Sequence, residues 1–151
     1  MVLGAQDKTR RGKGRLLRSG DLKRWEKLGE IAGSGIGGLG DAGYMWECPD
    51  MFALGGKNWL ICCPQGIAQE EKRFLNTHSS AYLGGDLDYQ QARFTHGDFT
   101  ELDAGLEFYA PQTAEDASGR RLLVGWMGVP GGEEMRLPTV AAGWLHQITC
   151  L

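Results

Sequence analysis

Two carboxylates and a thiol crowd into residues 46–50, Trp-Glu-Cys-Pro-Asp. Glu47 sits among Tyr44, Met45, Trp46, Cys48 and Pro49. Such an aromatic, weakly polar setting disfavours the charged carboxylate, which suits a group that delivers a proton near neutral pH. Asp50, three residues on, could accept hydrogen bonds in the same pocket. The competing reading is structural, with ECPD a turn built on Pro49.

Other chemistry-bearing patterns are weaker. GSGIGG supplies a literal GxGxxG at Gly33, Gly35 and Gly38. A dinucleotide fingerprint needs a helix after it, and LGDAGYMWECPD is not one. The segment is expected to be a flexible loop between units, lying close to Glu47. His78, His96 and His146 have no metal-ligand spacing, and Ser79 and Ser80 sit in no nucleophile elbow. Of the four cysteines, Cys62 and Cys63 are adjacent and cannot act as a CxxC pair. In a strand they would point to opposite faces as small apolar fillers. Neither a metal nor a cofactor is expected.

The 151 residues carry a net charge of −3, which gives no global pull toward nucleic acid or an anionic membrane. The basic stretch at Lys8, Arg10, Arg11, Lys13, Arg15 and Arg18 reads as a solvated surface hairpin away from any central channel; a phosphate-contacting patch is the alternative. MVLGAQ is too short for a signal-peptide core, and no apolar run approaches a membrane span. A reduced, cytoplasmic protein is expected.

The scaffold that holds these residues is expected to be rich in tight turns, because Gly makes up 24 of the 151 residues. Short strand-like runs stand at 1–6, 14–19, 25–31, 51–55, 58–65, 80–85, 92–97, 107–115, 121–128 and 143–150. Their spacing predicts an all-β chain. SGDLKRWEKLGE could form at most a short helical turn after Ser19. A weak repeat is also visible. Gly-Asp-Leu recurs at 20–22 and 85–87, and EFYAPQ echoes ECPDMFA about 60 residues later. Four short strands per unit at that period suggest propeller blades, at roughly 1–40, 41–102 and 103–151. The alternative is coincidence among Gly-Asp turns. In the blade reading MVLGAQ is a second strand, and the first blade lacks its innermost one.

The block MWECPDMFAL resembles the Glu-Cys-Pro-Asp motif of glycoside hydrolase family 32, the invertases, fructan hydrolases and sucrose-6-phosphate hydrolases. GKGRLLRSGDLKRWEKLGEI, LDAGLEFYAPQT with GRRLLVGWMG, and MRLPTVAAGWLHQIT resemble further blocks of that family, in the same order. The resemblance implies an incomplete five-bladed β-propeller of about two and a half blades.

By that resemblance, Glu47 is the general acid/base of a retaining fructosidase. Trp46, Cys48 and Asp50 shape the substrate pocket around it. Tyr109 matches the Phe-Tyr-Ala tyrosine and is placed near the acid. Trp126 offers a ring that could pack on sugar or serve the core. Sucrose or sucrose 6-phosphate is the implied substrate. The departures are equally specific. No Asn-Asp-Pro-Asn nucleophile motif and no Arg-Asp-Pro motif occur, nothing matches the family's C-terminal β-sandwich, and Glu107 stands where the family has Asp. One of three essential carboxylates is therefore present, and the chain alone is expected to be inactive. An upstream piece could supply missing blades, and open blade edges predict a homo-oligomer. A non-catalytic sugar-binding or structural role is the alternative.

Overall fold

The computed structural model describes residues 1–105, 107–130, 138–143 and 147–150; of 138, 139 and 147–150 only the backbone is described. His146, and most of the expected strand at 143–150 and of the MRLPTVAAGWLHQIT block, lie outside the described residues or side chains.

Eleven strands and no α-helix occur among the described residues: β1 (Val2–Gln6), β2 (Gly12–Arg18), β3 (Glu26–Gly33), β4 (Met45–Leu54), β5 (Lys57–Gln65), β6 (Ala81–Asp88), β7 (Arg93–His96), β8 (Thr100–Glu101), β9 (Tyr109–Glu115), β10 (Arg121–Met127) and β11 (Gln147–Cys150). They form three antiparallel sheets in the orders β1-β2-β3, β4-β5-β6-β7 with β8 on β6, and β11-β10-β9. One four-stranded sheet, extended by the β8 pair, thus stands between two three-stranded ones, in an all-β, incomplete propeller. In the first sheet β1 and β3 are the edge strands, and β1 lies beside β4.

Local chemistry explains the connections. Gly55 and Gly56, at φ 61° and 76°, make the two-residue turn between β4 and β5, where both central residues need positive φ. The turns at Asp7 and Asp116 are built alike. Asp7 Oδ1 accepts from Thr9 N, Thr9 Oγ1 and Arg11 N, and Asp116 Oδ1 accepts from Ser118 N, Ser118 Oγ and Arg120 N. Around Asp21 the same device replaces the expected helical turn: its carboxylate takes the Lys23 and Arg24 amides, leaving a bend.

The basic hairpin is exposed at Lys8, Arg10 and Arg11, but Lys13 is not part of a solvated face. Its side chain is buried, its Nζ donates to Ser34 O at 2.6 Å, and Asp7 lies 3.7 Å away. The GSGIGG loop packs on this hairpin and on β7. A methyl at Gly33 would meet Lys13, one at Gly35 would meet Arg11, and one at Gly37 the His96 ring.

The main core fills the space between the first and second sheets. Trp46 is 0 % exposed at its centre, with Leu16, Ile31, Leu60, Cys62, Leu83, Phe94 and Phe99. Its indole N–H donates to Ala42 O at 2.7 Å, and its ring meets Phe99 edge-on at 5.1 Å. Burying each such Leu or Ile contributes roughly 1.5–3 kcal/mol. Cys62 joins this core, whereas Cys63 faces the third sheet, 3.6 Å from Ser80 Oγ.

β4 departs most from expectation. It begins at Met45, so ECPD lies inside a strand and is not a free-standing turn. The register supplies the physical reason. Glu47 pairs with Cys63 and Asp50 with Ile61, three steps on β4 against two on β5. The extra residue is a bulge at Cys48–Pro49, one of the few places where a sheet accepts proline. Cys48 takes φ 47° there.

Candidate active site

The bulge decides where the two carboxylates point. Residues 47 and 50 are an odd number apart, so a regular strand would send them to opposite faces. With one residue absorbed by the bulge, both share the face of Cys63 and Ile61, which looks toward the third sheet. Trp46 points the other way, into the core.

β9 carries a matching device. Gln112 pairs with Val124 and Tyr109 with Trp126, again three steps against two, and Ala110 before Pro111 stands at φ 50°. The echo between ECPD and YAPQ is thus one backbone feature occurring twice, at the starts of two strands that end their sheets.

Four hydrogen bonds join these strands. Tyr109 Oη donates to Glu47 Oε2 at 2.7 Å. Gln112 Nε2 donates to Cys48 O at 2.9 Å. Thr113 gives both its amide, at 2.7 Å, and its hydroxyl, at 2.6 Å, to Asp50 Oδ2. Burial, and then the bond to Glu47, hold the Tyr109 phenol well above its ordinary value; the Gln65 amide acts in the opposite direction. At neutral pH Tyr109 is therefore a neutral donor.

Two thiols flank the carboxyl. Burial pushes Cys63 up to about 12, with the Ser80 hydroxyl opposing it. Cys48 is raised by burial and then by the Glu47 charge, with Cys63 opposing. Both stay protonated near neutrality and enclose Glu47 without adding charge.

Tyr109, Cys48 and Glu47 are therefore brought together. Asp50 lies on the same face but is engaged by Thr113. Trp46, expected in the pocket lining, has no ring face open to a ligand, because it fills the core behind β4. Trp126 is half-buried on β10, opposite Tyr109 in the register. Gln65, Gln112 and Thr113 escaped the sequence reading. The signal that could have found the last two was the Ala-Pro echo of Cys-Pro, taken as a bulge. Among the described residues no cluster of metal-binding side chains occurs, and no helix is long and apolar enough to cross a membrane.

The chain is 62% identical over its whole length to the sucrose-6-phosphate hydrolase of Salmonella typhimurium, covering 32% of that protein. A sucrose-6-phosphate hydrolase from Bacillus subtilis is 48% identical over 99% of the chain, which covers 31% of that relative. Among solved structures, the Bombyx mori beta-fructofuranosidase of family 32 superposes with a TM-score of 0.82 at 40% identity, covering 98% of this chain and 30% of that one. The Lactobacillus gasseri sucrose-6-phosphate hydrolase gives 0.84 at 30% identity, with the same coverage. The chain thus spans about a third of the length of the relatives it matches. The family model for the glycosyl hydrolases family 32 N-terminal domain matches residues 1–151, and the chain belongs to that family.

Proposed function

We propose that this chain supplies the general acid/base side of a retaining β-fructosidase site acting on sucrose or sucrose 6-phosphate. Glu47 protonates the glycosidic oxygen as the fructosyl group leaves and then activates water. The observation that carries this reading is Tyr109 Oη held on Glu47 Oε2 at 2.7 Å beside the protonated thiols of Cys48 and Cys63. The relatives' printed names supply the substrate class.

A retaining mechanism needs a second carboxylate about 5–5.5 Å from the first. No Asn-Asp-Pro-Asn motif occurs in these residues, and Asp50 is bound to β9 through two donors from Thr113 on its Oδ2. The nucleophile therefore comes from a segment outside these 151 residues, and the chain alone is inactive. That segment belongs to a longer chain or a companion piece in the cytoplasm. A second copy that covers an open blade edge would leave the chain a homo-oligomer without activity.

A chimera tests the reading. The 151 residues replace the matching third of the Salmonella typhimurium relative, and hydrolysis of sucrose and sucrose 6-phosphate is measured. The isolated chain gives no turnover, the chimera is active, and Glu47→Gln lowers its rate by roughly 10²–10⁴-fold. A folded but inactive chimera, or one indifferent to Glu47→Gln, refutes the assignment.

A further inference from the structure

We propose that Asp50 and Thr113 are positioning residues for Glu47, a pair that holds β9 at the register where the Tyr109 hydroxyl meets Oε2. The catalytic meaning of this rests on the acid/base reading above; the geometry does not.

Between β9 and β4 the bonds have one direction, while outside those two strands Ser80 Oγ donates the other way, to Phe108 O at 3.0 Å. All four named above have their donors on β9 and their acceptors on β4. The strands of neighbouring blades share no ladder, so nothing in the backbone pattern fixes their relative height. Side chains must do so. The Thr113–Asp50 contact is the most committed of them, because two donors from one residue converge on one carboxylate oxygen. Arg121 secures it from behind. Its Nη1 lies 3.5 Å from Thr113 Oγ1 as donor, so the hydroxyl proton is directed to Asp50. Its guanidinium sits over the Phe52 ring at 5.0 Å, two residues beyond Asp50.

The bulge in β4 supports the same assignment. Without it Asp50 would point toward the core of Trp46 and could not reach β9. Cys48 holds positive φ immediately before a proline, a conformation that sterics disfavour for any residue with a Cβ. Such strain persists where the surroundings over-determine it. Here the determinants are contacts on both sides of Cys48: Glu47 to Tyr109, its own carbonyl to Gln112, and Asp50 to Thr113.

The test is nuclear magnetic resonance on the 151-residue chain, following the Tyr109 hydroxyl proton and ring Cζ in wild type, Thr113→Val, Asp50→Ala and Thr113→Ser. Amide dispersion reports folding. Wild type and Thr113→Ser are expected to share a slowly exchanging hydroxyl proton. Thr113→Val and Asp50→Ala are expected to exchange it at least about tenfold faster with the sheets intact. A purely structural role would lower stability and leave that proton protected. In the chimera, Thr113→Val lowers kcat by about tenfold with KM held, the mark of a misplaced catalytic group. An intact Tyr109 signal in both disruptive variants overturns the clamp while leaving the Glu47 assignment standing. A chimera indifferent to Glu47→Gln overturns the assignment and the catalytic role of the clamp with it.

Discussion

Tyr109 Oη and Glu47 Oε2 meet at 2.7 Å although 62 positions separate them, because equivalent bulges place both at the starts of strands that end neighbouring sheets. Tyr109→Phe removes this donor and leaves the ring. Net loss of a hydrogen bond costs about 0.5–3 kcal/mol. Urea denaturation should show a loss in that range with an unchanged m-value. A variant as stable as wild type would mean that water replaces the phenol and that the pocket is wetter than its burial implies.

What the sequence revealed of this arrangement follows from its physics. Short runs at regular spacing and Gly-rich turns made the all-β class legible, since run length and turn residues are local properties. The echo of ECPDMFA in EFYAPQ made the blade repeat visible. Its meaning was not, because a bulge shows itself only in the pairing of two strands. Pro49 inside a run suggested a turn, and only the Cys63 and Ile61 register shows an extra residue in a continuous strand. Asp50 was legible as a polar neighbour of Glu47. Its partner Thr113 was not read, since the Ala-Pro echo of Cys-Pro points to it only once both are taken as bulges in adjoining strands. Trp46 illustrates the opposite error. An aromatic beside Glu47 suggests a side chain lining its pocket, but adjacent strand residues point to opposite faces, so the neighbour of Glu47 is a core residue.

The Asp116 turn makes stability depend on pH in a predictable window. Its carboxyl is held at about 2, chiefly by the Ser118 hydroxyl, then by the Arg120 amide and guanidinium. A folded value below the unfolded one, about 3.9, means that the unfolded chain takes up the proton first as pH falls. The contribution is therefore complete above about pH 4 and lost as pH drops toward about 2. Thermal melts of wild type and Asp116→Asn should differ at pH 6 and converge by pH 2. A gap that stays constant, or widens with acid, contradicts the sign.

Thiol chemistry checks the closure around Glu47. Only thiolate alkylates, so a thiol held at about 12 reacts slowly at pH 8. Iodoacetamide followed by peptide mapping should leave Cys62 and Cys63 unmodified in the folded chain and label both after denaturation. Cys48, half-buried and raised less, should react at an intermediate rate. Rapid labelling of Cys63 in the native chain would show that solvent reaches the inner face of β5 beside Glu47.

Backbone strain at the second bulge can be probed without disturbing the first. Ala110 holds φ 50° before Pro111, where a Cβ costs roughly 1–2 kcal/mol. Glycine removes that cost while adding about 0.5–1 kcal/mol of chain entropy to be lost on folding. Ala110 is half-buried, so little apolar contact disappears with its methyl. Ala110→Gly should therefore be neutral or stabilising by up to about 1 kcal/mol. Ala53 on β4 supplies the contrast: it is exposed and regularly paired with Asn58, so Ala53→Gly should destabilise by about 0.5–1 kcal/mol. Chemical denaturation of the two variants side by side separates strain from propensity. Equal losses would mean that the β9 bulge is relaxed, and that the matching geometry at Cys48 needs no clamp to hold it.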